Sequence, residues 1–261
     1  MMKTEQVSSL ASGGSMQAMF GRFLCGLLGG GVIAATFHTP QAAALSEDEL
    51  LIKFAEVPVF VVADSSGGYV TSVVDLPNDG MGNVSLLRVF FTEDDVLSFV
   101  EQVREEEPRF NQGGSVGVID LASVHRLAQE EREVPLKLIF IPEAEELEAA
   151  RALDSNFGGT TSSSLVPLFA LQDAAGNYLP LSIGDDSEES IFSMFFSKQD
   201  ADSVLSSIQA SNPNMSQVNV GVVSLADLSG NILGSDNEAF ERIRFLPDSD
   251  VINHIQSLDL Q

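Results

Sequence analysis

The chain has 261 residues, of which 38 are acidic and 13 are basic, and its formal net charge is -25. A surface this acidic repels nucleic acid and anionic lipid headgroups, which excludes both as expected partners. No apolar run reaches the ~18 to 20 residues that a membrane-spanning helix needs, so we expect no integral membrane span in the mature chain.

The first 44 residues are typical of an export signal. Lys3 and Arg22 precede an apolar stretch from Phe23 to Phe37, and small residues follow up to Ala44. This order predicts a signal peptide over 1–44 that is removed on export, although an uncleaved N-terminal anchor fits the same pattern. The only cysteine, Cys25, lies in this leader. The mature chain can therefore form no disulfide and no cysteine-based metal site.

Two copies of one unit follow the leader. Their shared landmarks are VPVFVVAD and VPLFALQD (from Val57 and Val166), FFTEDD and FFSKQD (from Phe90 and Phe195), and FIP and FLP (from Phe140 and Phe245). A spacing that stays near roughly 105 residues indicates a tandem duplication. We predict repeat 1 over 45–160 and repeat 2 over 161–261, related by a pseudo-twofold and forming one compact unit.

The sequence pattern of each repeat predicts the same order of strands and helices. A β-branched and aromatic strand ends in an Asp and a glycine-bearing turn, which favours a β-hairpin. A third strand, a helix, a fourth strand, a second helix, a fifth strand and a last helix follow. The predicted N-caps of the first two helices in the two repeats are Thr92, Ser197, Asp120 and Ser224. We therefore predict an α/β fold in which each repeat has a β-hairpin plus βαβα elements, with helices packed on a mixed sheet.

The third strands are apolar on both faces. One face carries Leu87 and Val89 in the first repeat, and the equivalent face of the second carries Met194. The opposite face is either covered by helices or by the other half, or it stays partly open as an apolar groove that binds a partner. Under the second alternative, the candidate client-binding residues on the first and third strands are Phe60, Leu86, Phe90, Phe169, Ile191 and Phe195.

No motif indicates catalysis or a metal centre. His125 and His254 occupy different places in their repeats, without ligand spacing, and we interpret both as ordinary helix residues. Neither a phosphate-binding loop nor a nucleophile elbow is present. We therefore predict no catalytic residue, no metal and no cofactor. A hydrolase would need two carboxylates facing one cleft, and nothing in the sequence points to such a pair.

The chain resembles the Tic22 family. The resemblance rests on four motifs that occur twice in the same order behind an export signal: VPVF with its Asp and Gly, FF(T/S) with its Asp, V.V..L and F.P. The resemblance covers roughly residues 50 to 258. It implies a non-enzymatic, chaperone-like factor that escorts unfolded precursor or outer-membrane proteins across an aqueous intermembrane space. The implied partners are unfolded precursors and outer-membrane barrel-assembly or translocon components.

The location that this resemblance implies is the periplasm of a cyanobacterium, with the thylakoid lumen or the plastid envelope intermembrane space as alternatives. A functional alternative from a different class is a carrier of small ligands or lipids in the same compartment. A closed pocket of ligand size would favour the carrier, and an open apolar groove would favour the escort.

Overall fold

The computed structural model describes residues 45–76, 82–106, 115–158, 165–182 and 190–258. The predicted signal peptide, 1–44, lies outside the described residues. None of the helices in the described ranges is long and apolar enough to cross a membrane.

The two halves of the chain repeat one order of elements. A short helix, α1 (Glu47–Phe54), precedes the first half. The first half then comprises β1 (Pro58–Ala63), β2 (Thr71–Leu76), β3 (Gly82–Phe90), α2 (Glu93–Glu106), β4 (Ser115–Asp120), α3 (Leu121–Gln129), β5 (Leu136–Ile141) and α4 (Ala144–Leu153). The second comprises β6 (Pro167–Gln172), β7 (Leu181–Ser182), β8 (Ser190–Phe195), α5 (Lys198–Ser211), β9 (Asn219–Ser224), α6 (Leu225–Gly234), β10 (Ile243–Leu246) and α7 (Ser249–Leu258). The predicted α/β fold is confirmed.

Each sheet is mixed and has the same topology. β1 pairs antiparallel with β3 and β4, and β3 pairs parallel with β5. The equivalent strands of the second half pair in the same way. Phe60 lies opposite Phe90, and Phe169 lies opposite Phe195. The predicted landmarks therefore occupy equivalent places in the two sheets.

The expected hairpin between the first two strands forms only at its turn. The Oδ1 atom of Asp64 accepts hydrogen bonds from the backbone N–H groups of Ser66 and Gly68, and Gly67 adopts a positive φ of 84°. This Asx turn brings Tyr69 back beside Ala63 for one bridge. β2 then pairs with β3 instead of β1, so the hairpin prediction is wrong beyond the turn. β1 has an alternative partner, since all six of its residues pair with β4.

The predicted caps hold the helix starts. The hydroxyls of Thr92 and Ser197 accept hydrogen bonds from the third residues of α2 and α5, each at 3.4 Å. Asp120 accepts at 2.7 Å from Ser123 N, and Ser224 at 3.0 Å from Asp227 N. Each bond satisfies a backbone donor that has no partner inside its helix.

The inner faces of both sheets share one core. Val59 and Leu87 from the first sheet join Leu168 and Met194 from the second. Helix α3 contributes Leu121, helix α6 contributes Leu228 and helix α1 contributes Phe54 to the same cluster. This core draws on both halves and buries the central part of each inner face, while Val73 on the edge strand β2, opposite Ser85 on the face of Leu87, stays 62% exposed.

The last helix of each half crosses to the other half. Ala150 of α4 belongs to the cluster on the outer face of the second sheet, together with Phe169 and Phe195. Val251 of α7 belongs to the cluster on the outer face of the first sheet, together with Phe60 and Phe90. The halves therefore exchange their terminal helices, and each half completes the outer layer of the other.

Candidate functional site

The predicted groove residues do not line an open groove in either half. Five of them are buried: Phe60, Phe90, Phe169, Ile191 and Phe195, each at most 4% exposed. Leu86 is half-buried and lies opposite Ser72 of β2. The pairs Phe60 with Phe90 and Phe169 with Phe195 belong to two separate clusters on the outer faces of different sheets.

Helices cover these outer faces. The Phe90 ring packs at 5.3 Å from Phe99 of α2, and Val96 and Val100 of the same helix lie in its cluster. In the second half, Ala201 and Ile208 of α5 cover Phe195. The alternating pattern of the strands identified the right faces. The pattern allowed either a face covered by other elements or an open groove. In the structure all four phenylalanines lie on covered faces.

The two outer faces are not covered to the same extent. Val118 of β4 lies directly opposite Phe60 and is 43% exposed. Its counterpart Val222 lies opposite Phe169 and packs partly buried against the second cluster, because α4 covers both β6 and β9. Val116, half-buried on the same face of β4, matches the buried Val220. We call Val116 and Val118 the β4 strip.

A narrow cleft lies between the two halves. Its walls pair equivalent residues of the two repeats, namely Val57 with Val166, Pro58 with Pro167, Phe91 with Phe196 and Pro142 with Pro247. The volume that the centre of a water molecule can occupy inside this cleft is only about 20 Å³. A second cleft, beside Tyr69 and Arg132, leaves about 130 Å³. Ligand sites typically measure ~300 to 1,000 Å³, so neither cleft has the size of a ligand pocket.

Three carboxylates face the cleft between the halves. Glu143 and Glu146 come from the start of α4 and Asp248 from the start of α7, and oxygens of all three lie within 4.8 Å of one another. Burial, followed by the neighbouring Glu146 and Asp248 charges, raises the pKa of Glu143 to about 7. Burial also raises the pKa of both Glu146 and Asp248. The cause is common to all three, since a partly desolvated carboxylate is less stable in its charged form.

Two of these carboxylates are engaged in helix capping. Glu146 accepts the backbone N–H of Lys198, the first residue of α5, with both oxygens at 3.0 and 3.1 Å. Asp248 accepts the backbone N–H of Asp250 at 2.7 Å. Glu143 occupies the N-cap position of α4 but makes no capping hydrogen bond. Because capping already uses two of the three groups, we assign no metal centre to this cluster.

Sequence motifs did not point to this cluster. The one available signal was that FIP and FLP are each followed by an acidic residue, Glu143 and Asp248. Retaining glycosidases place two carboxyl groups at a comparable separation, about 5 Å. A sugar ring, however, cannot enter a cleft with room for about one water molecule.

Neither histidine forms a catalytic arrangement with its contacts. His125 stacks on Phe54 at 5.3 Å, and burial lowers its pKa. His254 Nε2 lies 2.7 Å from Glu93 Oε2, joining α7 to α2 across the two halves. His125 therefore packs half-buried against the central core, and His254 contacts Glu93 where α7 meets α2.

Comparison with known proteins gives a consistent assignment. The model of the Tic22-like family matches residues 28–256. A solved structure titled Anabaena Tic22 (protein transport) is similar with a TM-score of 0.68 and 19% identity, over 82% of this chain and 97% of that one. Tic22 from Plasmodium falciparum is similar with a TM-score of 0.60 and 15% identity, over 81% and 98%. A search of curated proteins found no match.

Proposed function

Since the chain belongs to the Tic22-like family, we propose that it is an exported, non-enzymatic escort for unfolded precursor or outer-membrane proteins. It takes up apolar segments of a client and releases them without a cofactor. Its compartment is the periplasm of a cyanobacterium, or else the thylakoid lumen or plastid envelope intermembrane space. Its partners are the clients and the outer-membrane barrel-assembly or translocon components that receive them.

The observation that carries this proposal is the partly exposed β4 strip beside the buried aromatic cluster of the first half. Val118 continues the apolar face on which Phe60 lies, but is open to solvent. An apolar strip of this kind offers a client segment a surface to cover. The strongly acidic remainder of the chain keeps a complex with an unfolded client soluble.

Such a strip favours reversible binding. Apolar burial stabilises a complex by roughly 25 cal/mol per Å², and part of that gain is offset by the entropy lost when the client is ordered. A surface formed by a few side chains therefore gives weak affinity, as an escort that must release its client requires. The small clefts offer less support to a carrier of small ligands, because neither has the volume of a ligand site.

The test compares matched double variants from the two halves. Val116→Thr with Val118→Thr makes the β4 strip polar while keeping β-branched side chains. Val220→Thr with Val222→Thr makes the same change where the positions are more buried. Each protein is assayed, without ATP, for slowing the aggregation of an unfolded outer-membrane barrel, and its melting temperature is measured.

We expect the β4 variant to lose aggregation suppression with little change in melting temperature. The control variant should melt earlier, because it buries hydroxyls in an apolar cluster, but its folded fraction should still suppress aggregation. A wild-type protein that leaves aggregation unchanged while binding a small molecule tightly would favour the carrier instead.

A further inference from the structure

The cleft between the halves is where the exchanged helices begin. α4 and α7 each start at its rim, directly after Pro142 and Pro247, two residues of its walls. α5 starts there as well, since Glu146 of α4 holds its first N–H. Ser249 of α7 donates its backbone N–H and its hydroxyl to Asp200 of α5, at 2.9 and 2.7 Å. The starts of α4, α5 and α7 therefore form a joint between the two halves. A change in this cleft acts on that joint.

The charges around this joint are mostly of one sign. The groups that act on Glu143 are Glu146, Asp248, Asp95 and Glu145, all of them acidic. Asp200 and Asp250 add to the negative charge near Asp248. Lys198 acts on Glu146 with the opposite sign, but its amine is paired with Asp202. With all three cleft carboxylates ionised, α4 and α7 repel each other where they meet.

We propose that Glu143, Glu146 and Asp248 form a proton-operated latch between the two halves. At mildly acidic pH a shared proton lets the carboxyl groups hydrogen-bond to one another across the cleft and holds the starts of α4 and α7 together. At neutral to alkaline pH their mutual repulsion loosens the joint. Glu143 is the group that accepts the proton, because capping hydrogen bonds favour the charged forms of Glu146 and Asp248, whereas Glu143 has no such bond.

The direction of the pH effect follows from linkage. The pKa of Glu143 is higher in the folded protein, about 7, than its ordinary value of 4.5. Between these values the folded state binds more protons than the unfolded state, so stability increases as the pH falls through this window. Because the carboxyl is partly exposed, solvent screening reduces the effect. We expect the folding equilibrium constant to rise about tenfold from pH 7.5 to 5.5, because screening reduces the roughly twentyfold rise that a pKa of about 7 would give.

The first experiment measures unfolding by urea across pH 5.0 to 8.0 for wild type, Glu143→Gln and the matched control Glu145→Gln. Glu145 is the exposed neighbour of the cluster on the same helix. Glu143→Gln should lose the tenfold pH response relative to wild type and be the more stable of the two at pH 7.5. Glu145→Gln should keep most of the response, because Glu145 is the weakest of the four charges that act on Glu143. Contributions from other titrating groups, such as Lys53 and His125, cancel in the difference between variants.

The second experiment measures the opening of the joint directly. With Cys25→Ser as background, Glu148→Cys on α4 and Asn253→Cys on α7 place spin labels at exposed positions of the exchanged helices. The distribution of distances between the labels should narrow at pH 5.5 and broaden at pH 8. Asp248→Asn should remove this dependence as Glu143→Gln does, which provides a second test if one variant folds poorly. All solutions contain a chelator, so a response that appears only on adding a divalent cation overturns the proton mechanism.

A pH response that is unchanged in Glu143→Gln and Asp248→Asn also overturns the latch, as does an equal loss in Glu145→Gln. These outcomes are independent of aggregation suppression, so the latch and the escort function can fail separately.

Discussion

Replacing Phe90 by Ser distinguishes a core residue from a client-binding residue. The side chain is 3% exposed, packs against Phe99 at 5.3 Å and lies opposite Phe60. Truncating a buried phenylalanine costs about 3 to 5 kcal/mol through lost transfer energy and the cavity that remains. The serine hydroxyl enters an apolar cluster, which adds to the cost unless it finds a partner. We expect the free energy of unfolding to fall by at least ~3 kcal/mol.

The assay is urea unfolding followed by circular dichroism, with aggregation suppression measured on the same samples at a temperature where all variants are folded. Leu97→Ser is the matched control, because it removes an apolar side chain that is 43% exposed on the covering helix α2. It should cost less than about 1 kcal/mol. If Phe90→Ser costs as little as the control and yet abolishes aggregation suppression, our assignment of Phe90 to the core is wrong.

Three further predictions concern stability. Phe195→Ser, 4% exposed in the equivalent place of the second half, should destabilise by a similar ~3 kcal/mol in the same urea assay. Ser224→Ala removes the buried cap of α6, whose hydroxyl accepts from Asp227 N at 3.0 Å, and should cost about 1 kcal/mol in the free energy of unfolding. Burial lowers the pKa of Lys53 to about 8, and its amine donates to the carbonyls of Glu241 and Ile243 at 2.7 and 3.1 Å. Between pH 8 and 10 the folded state binds fewer protons than the unfolded state, so the melting temperature of wild type should rise relative to that of Lys53→Met as the pH rises. A difference in melting temperature that stays constant across this pH range would contradict the reasoning.

Local patterns in the sequence were sufficient for the order of elements from β1 onward and for the helix caps, although they did not predict α1. The capping of α3 by Asp120 and of α6 by Ser224 depends on residues three positions apart, which a short stretch of sequence contains. The alternation in the third strands separates the inner Leu87 and Met194 from the outer Phe90 and Phe195 in the same way. The duplication could be recognised from the sequence because both copies keep their shared motifs in the same order.

The tertiary structure alone decided which surfaces stay open and which acids meet. Helices from opposite halves cover the Phe90 and Phe195 faces, and α4 shields Val222 more fully than any described element shields Val118. Glu143 and Asp248 are far apart in the chain and become neighbours only because α4 and α7 exchange places. An apolar alternation shows that a face is suited to burial, but the element that covers it is chosen by long-range packing. A single sequence read by its local periods does not contain that information.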